Sequence, residues 1–158
     1  MTDPKTSMVI GIGNPLRGDD GAGYRLARCL QSEERADLKV IATQQLHVEL
    51  AATVAAAERV LFIDASHGLE PCGRWSSPHV EPLGSPGPDW ISGSTLSHQL
   101  SPPALLELTK ALYQHRPSAW QLLLPGQQWD HSEALSPLTA AAVAAAFPLI
   151  EAWSRGDA

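Results

Sequence analysis

The chain has 158 residues, 44% hydrophobic and 18% charged, which suits one globular domain spanning residues 1–158 with a single sizeable core. Its formal net charge is −6 and its 11 basic residues are scattered, so the charge pattern argues against nucleic acid and an anionic membrane as partners. Met1 to Ser7 is polar, no apolar run approaches the roughly 18 residues of a membrane span, and the two cysteines, Cys29 and Cys72, are too few for a disulfide framework. Both read as ordinary thiols, and the expected location is cytoplasmic.

The segment "SMVIGIG" reads as a short buried strand, and "AGYRLARCLQ" has the apolar spacing of an amphipathic helix, with Asp19 or Asp20 placed to cap it. "LKVIAT" is a second strand, "LHVELAATVAAAERV" an alanine-rich helix, and "RVLFIDA" a third strand that ends in Asp64. Strands alternating with helices imply a three-layer α/β sandwich, a twisted and mainly parallel sheet with helices on both faces. Right-handed crossovers then bring the ends of the strands to one edge.

Between Pro71 and Pro103 the chain is rich in proline, glycine and serine, with only short extended pieces such as "GRWSSPHVEPL". A loop this long inside a compact domain is usually a lid or a binding loop. "SPPALLELTKALYQH" follows as a helix capped by Ser101, then "AWQLLL" as a strand stopped by Pro125 and Gly126. "SPLTAAAVAAAFPLIEAWS" closes the chain as a helix that Pro148 is expected to bend or interrupt.

The segment "GIGNPLRGDDGAG" places five glycines and two adjacent aspartates in the turn after the first strand. It lacks the third glycine of a dinucleotide fingerprint, a position held here by Leu16, and the Gly-Lys pair of a phosphate loop. Asp20 after the first strand and Asp64 at the end of the third converge on the carboxyl edge, where open α/β sheets bind ligands. The blander readings are helix capping for Asp20 and a turn-forming role for Asp64. His98, in "GSTLSHQLSPP", is the third candidate because its loop can fold over that edge; His67 rivals it by its spacing from Asp64, and His47 and His115 read as helix-face residues. Two carboxylates and an imidazole suit a mixed oxygen and nitrogen metal site, either with a resident zinc or around a metal that the substrate brings.

Four blocks in order, "GIGNPLRGDDGAG", "QQLHVELAATVAAAERVLFIDASHG", "STLSHQLSPPALL" and "LLLPGQQWDHSEALSP", resemble the hydrogenase maturation peptidases over nearly the whole chain. These endopeptidases trim the C-terminal extension of the nickel-iron hydrogenase large subunit. The resemblance implies Asp20, Asp64 and His98 as the groups that meet a metal and carry the cleavage. It also implies nickel supplied by the substrate with no tightly bound cofactor, and a large-subunit precursor as partner to a monomeric enzyme. On that reading Gly11 and Gly13 leave the backbone open to an incoming peptide, Asn14 takes a left-handed or Asx-turn geometry, Gly21 and Gly23 let the helix start against the sheet, and Asp19 caps the helix. The sequence departs from many relatives at "LLLPG", where they carry a Gln-Pro or Glu-Pro pair. The competing classes are a zinc hydrolase with its own metal, a non-catalytic assembly chaperone and a nucleotide-binding module.

Overall fold

The computed structural model describes residues 6–66, 77–83 and 100–156. Five strands form one sheet in the order β2-β1-β3-β5-β4: β1 is Ser7–Ile12, β2 Leu38–Thr43, β3 Arg59–Ser66, β4 His79–Pro82 and β5 Ser118–Pro125. The pairings among β2, β1, β3 and β5 are parallel, and β4 lies antiparallel on the edge of β5. The helices are α1 (Ala22–Ser32), α2 (Leu50–Ala55), α3 (Pro102–Tyr113) and α4 (Pro137–Ser154).

Alternation along the central strands sorts the core into two layers. Val9, Leu61 and Ile63 pack with Leu26 and Leu30 of α1 and with Ile150 and Trp153 of α4 on one face. Ile10, Val60 and Phe62 pack with Val54 of α2 and with Leu105 and Leu106 of α3 on the other. Successive side chains of a strand point to opposite faces, so each central strand feeds both layers. This is the three-layer α/β sandwich expected from the alternating pattern.

Local chemistry fixes most boundaries. The Ser101 hydroxyl accepts from the Ala104 N–H at 3.3 Å to start α3, with proline in the first turn, and Gln114 closes it in the left-handed region at φ 57°. Ser136 caps α4 in the same way by accepting from the Thr139 N–H. Pro148 does not interrupt α4, which runs through it as one element.

Two expectations need correction. The alanine-rich segment gives a helix of only six residues, Leu50–Ala55; beyond its C-terminal end the N–H groups of Glu58 and Arg59 are bonded to the Thr6 carbonyl, which starts β3 alongside β1. Sheet registry here overrides helix propensity. Among the described residues α4, with 18 residues at a mean hydropathy of 1.3, is by length and composition apolar enough to cross a membrane. In the fold, Ala142, Ala146, Ile150 and Trp153 on this helix are buried against the sheet.

The strand order has one topological consequence. The chain leaves β1 through α1 to β2 on one side of β1, and then returns through α2 to β3 on the other. The point where the order reverses lies between β1 and β3, and in such sheets the crevice outside the carboxyl ends of those strands is the ligand site.

Candidate active site

The turn after β1 is built by close backbone packing. A Cβ on Gly11 would stand 2.2 Å from the Gly23 carbonyl oxygen, so the pair brings α1 onto β1 at contact distance, as expected for Gly23. Gly13 has φ +148°, and a Cβ there would lie 1.8 Å from the Asp20 carbonyl oxygen. The glycines at 11 and 13 therefore bring helix and turn onto the strand. Asn14 takes the Asx-turn alternative, its side-chain carbonyl accepting from the Leu16 N–H at 2.9 Å.

The two adjacent aspartates, in the 3-10 turn Gly18–Gly21, do different things. Neither caps a helix: no side chain caps the 3-10 turn or α1. Asp19 is fully buried and accepts four hydrogen bonds from the far end of the chain: from the N–H groups of Gln127 and Gln128 at 2.9 Å, the Ser136 N–H at 2.7 Å and the Ser136 hydroxyl at 2.7 Å. Burial alone would raise its pKa, yet the donors hold it below the ordinary carboxylate value. Backbone bonds from Gly18 N–H to Ser132 O (2.8 Å) and from Asp19 N–H to Gln128 O (2.8 Å) complete the junction between this turn and the β5–α4 loop.

Asp20 turns toward the sheet edge. Its Oδ2 accepts from the Asn14 N–H at 3.0 Å. Asp64 lies within β3, two residues before its end and paired in register with Leu123, so the expected turn role after the strand does not apply. Strand alternation puts it on the face of Val60 and Phe62, that of α2 and α3. Its Oδ1 accepts from the Ala65 N–H at 2.8 Å. Burial raises its pKa to about 7, the Ala65 N–H opposes that shift, and the negative charge of Asp20 adds to it. Within the described residues, Asp20 Oδ1 and Asp64 Oδ2 receive no hydrogen bond, so each carboxylate keeps one oxygen open.

Two cavities flank the pair. One of about 540 Å³ is lined by Asp20 with Asn14, Arg17, Tyr24, Gln45 and His47, and a smaller one of about 220 Å³ by Asp64 with Ile12, Gln45, Leu46 and Leu100. Gln45 belongs to both. Sequence reasoning missed His47 here: it lies in the loop before α2, not on a helix face, because α2 begins only at Leu50. His115 also lies beyond its helix, with Nε2 2.9 Å from the Ala57 carbonyl. His98 and its rival His67 fall outside the described residues, as does Cys72. Among the described residues no group of three or more His, Cys, Asp or Glu side chains is placed to hold a metal. The structure brings Asp20 and Asp64 to one edge, an oxygen-donor pair suited to a hard or borderline cation or to a polarised water.

No family model matches the chain, and no curated protein matches it. Its fold is that of solved hydrogenase maturation peptidases. The hydrogenase maturating endopeptidase HybD from E. coli superposes with a TM-score of 0.70 at 18% identity, over 96% of this chain and 93% of that one. The hydrogenase 2 maturation peptidase from a Thaumarchaeota archaeon matches at 0.66 and 23% identity, over 98% and 100%. The [NiFe] hydrogenase maturation protease HybD from Thermococcus kodakarensis matches at 0.63 and 22% identity, over 94% and 99%.

Proposed function

We propose that this chain is a hydrogenase maturation peptidase, removing the C-terminal extension from a nickel-loaded nickel-iron hydrogenase large-subunit precursor. The observation that carries the reading is the convergence of Asp20 and Asp64 at the β1/β3 switch point, each with an open oxygen. The fold and the names of its solved neighbours support it.

In this account Asp20, Asp64 and His98 face the nickel already seated in the precursor, and the enzyme needs no metal of its own. Asp20 acts as the standing anion against that cation. Asp64, whose burial and charged neighbour raise its pKa in the metal-free chain, is the proton acceptor in this account, a carboxylate desolvated enough to be a stronger base than an exposed one. It takes a proton from the water that attacks the scissile carbonyl, and returns it to the leaving amine. Cleavage then depends on metal insertion, which makes it a checkpoint on assembly.

The test is the intact mass of a cognate precursor, nickel-loaded and nickel-free, after incubation with the purified protein. Loss of a C-terminal peptide from the loaded form alone is the expected result. An unchanged mass for a verified loaded precursor refutes the peptidase and leaves an assembly chaperone; cleavage of both forms by a protein that copurifies with stoichiometric zinc leaves a conventional metallohydrolase.

A further inference from the structure

The two cavities beside the aspartates differ in chemistry. The smaller one, at Asp64, is walled by Ile12, Leu46, Leu100 and Pro102 together with the polar Gln45 and Ser101. The larger, at Asp20, has no large apolar wall among the described residues: it presents the side-chain amides of Asn14, Gln44 and Gln45, the Tyr24 phenol, and two cationic or ionisable groups, Arg17 and His47. Its volume of about 540 Å³ is that of a ligand-sized cleft.

Arg17 is exposed, and within the described residues its guanidinium donates no hydrogen bond and joins no ion pair. Asp20 lines the same cavity, its Oδ2 bonded to the Asn14 N–H, and forms no ion pair with Arg17. A guanidinium presents five donors in a planar fork that matches a carboxylate. Beside it, Leu16 and Val48 are two of the four large apolar side chains exposed among the described residues, 54% and 61% accessible, and they are the chain neighbours of Arg17 and His47.

We propose that this cavity is a subsite for a peptide carboxylate, bound by Arg17 with His47 and the amides of Gln44 and Gln45. The inference rests on the peptidase reading for its biological meaning. The carboxylate is either an aspartate or glutamate side chain of the substrate tail or its free C-terminus, and the two are separable.

The test uses the isotopically labelled full chain and three otherwise uncharged hexapeptides. The first carries one glutamate and an amidated end, the second a glutamine and a free C-terminal carboxylate, and the third a glutamine and an amidated end. Amide shifts at Gln44, Gln45 and His47 are followed in the wild type and in Arg17→Gln. One carboxylate peptide is expected to bind about tenfold more tightly than the neutral one, and Arg17→Gln to remove that advantage, the 1.4 kcal/mol of one charge-assisted hydrogen bond. Tighter binding of the first peptide identifies a side-chain carboxylate, and of the second a chain terminus. Equal binding of all three, unchanged affinity in Arg17→Gln, or no shift at these residues with any peptide overturns the proposal. No cleavage enters this assay, so its failure leaves the peptidase reading to the precursor mass measurement.

Discussion

Asp19 and Asp64 are both carboxylates withdrawn from solvent, and the protein treats them in opposite ways. Asp19 receives four hydrogen bonds and is held below the ordinary carboxylate pKa; Asp64 receives one, from its own neighbour, and rises to about 7. Burial disfavours the charged form of both, so the number of donors decides the sign. A saturated carboxylate is a structural anchor. A half-buried one left with an open oxygen is costly to the fold, and such strain is retained where it serves chemistry.

The contrast breaks first at the site. Asp64→Asn or Asp20→Asn should lower processing of a loaded precursor by about a thousandfold or more, the scale of losing an essential proton acceptor or charge contact, as read by intact mass. The same Asp64→Asn should raise the melting temperature at pH 8, because it removes a carboxylate whose ionisation the fold disfavours. A lower melting temperature at pH 8 would make Asp64 a structural residue.

Asp19→Asn should do the reverse. It leaves donors facing an amide inside a closed junction, and is expected to cost about 3 kcal/mol in a urea unfolding series. Ser136→Ala removes one of the four donors and the α4 cap together, with a smaller expected loss of about 2 kcal/mol. The serine backbone N–H survives that substitution, so the hydroxyl alone is tested.

Stability against pH separates the two carboxylates without any substrate. The raised Asp64 contributes stability that is fully present below the unfolded value of 3.8 and is lost as pH rises through about 7. The lowered Asp19 contributes stability that is present above 3.8 and is lost as pH falls through its folded value. Comparing the wild type with Asp64→Asn across pH 4–8 isolates the first contribution: the difference should grow with pH and level off above about 7. Smallest of these effects, Ser101→Ala should cost about 1 kcal/mol by removing the α3 cap, at no cost to the carboxylate pair.

The central strands, α1, α3 and α4 were legible because their signals are local: buried apolar runs, 3.6-residue spacing, and serine caps before proline. Asp20 and Asp64 were legible as a pair because parallel topology sends the ends of β1 and β3 to one edge. Asp19 was not, since its donors lie more than 100 residues away in sequence while the local pattern spells a helix cap. His47 was hidden by the alanine-rich run after it, which reads as a helix from Leu46, whereas α2 begins only at Leu50. His98, offered by its loop position and by the resemblance, lies outside the described residues.

The most direct measurement is a carbon-13 titration of the aspartate side-chain carboxyls in the free protein. The account predicts that Asp64 titrates near pH 7 and that Asp19 titrates below the ordinary aspartate value. An Asp64 that titrates with the exposed aspartates, near pH 4, would contradict it by removing the poised base from the carboxyl edge.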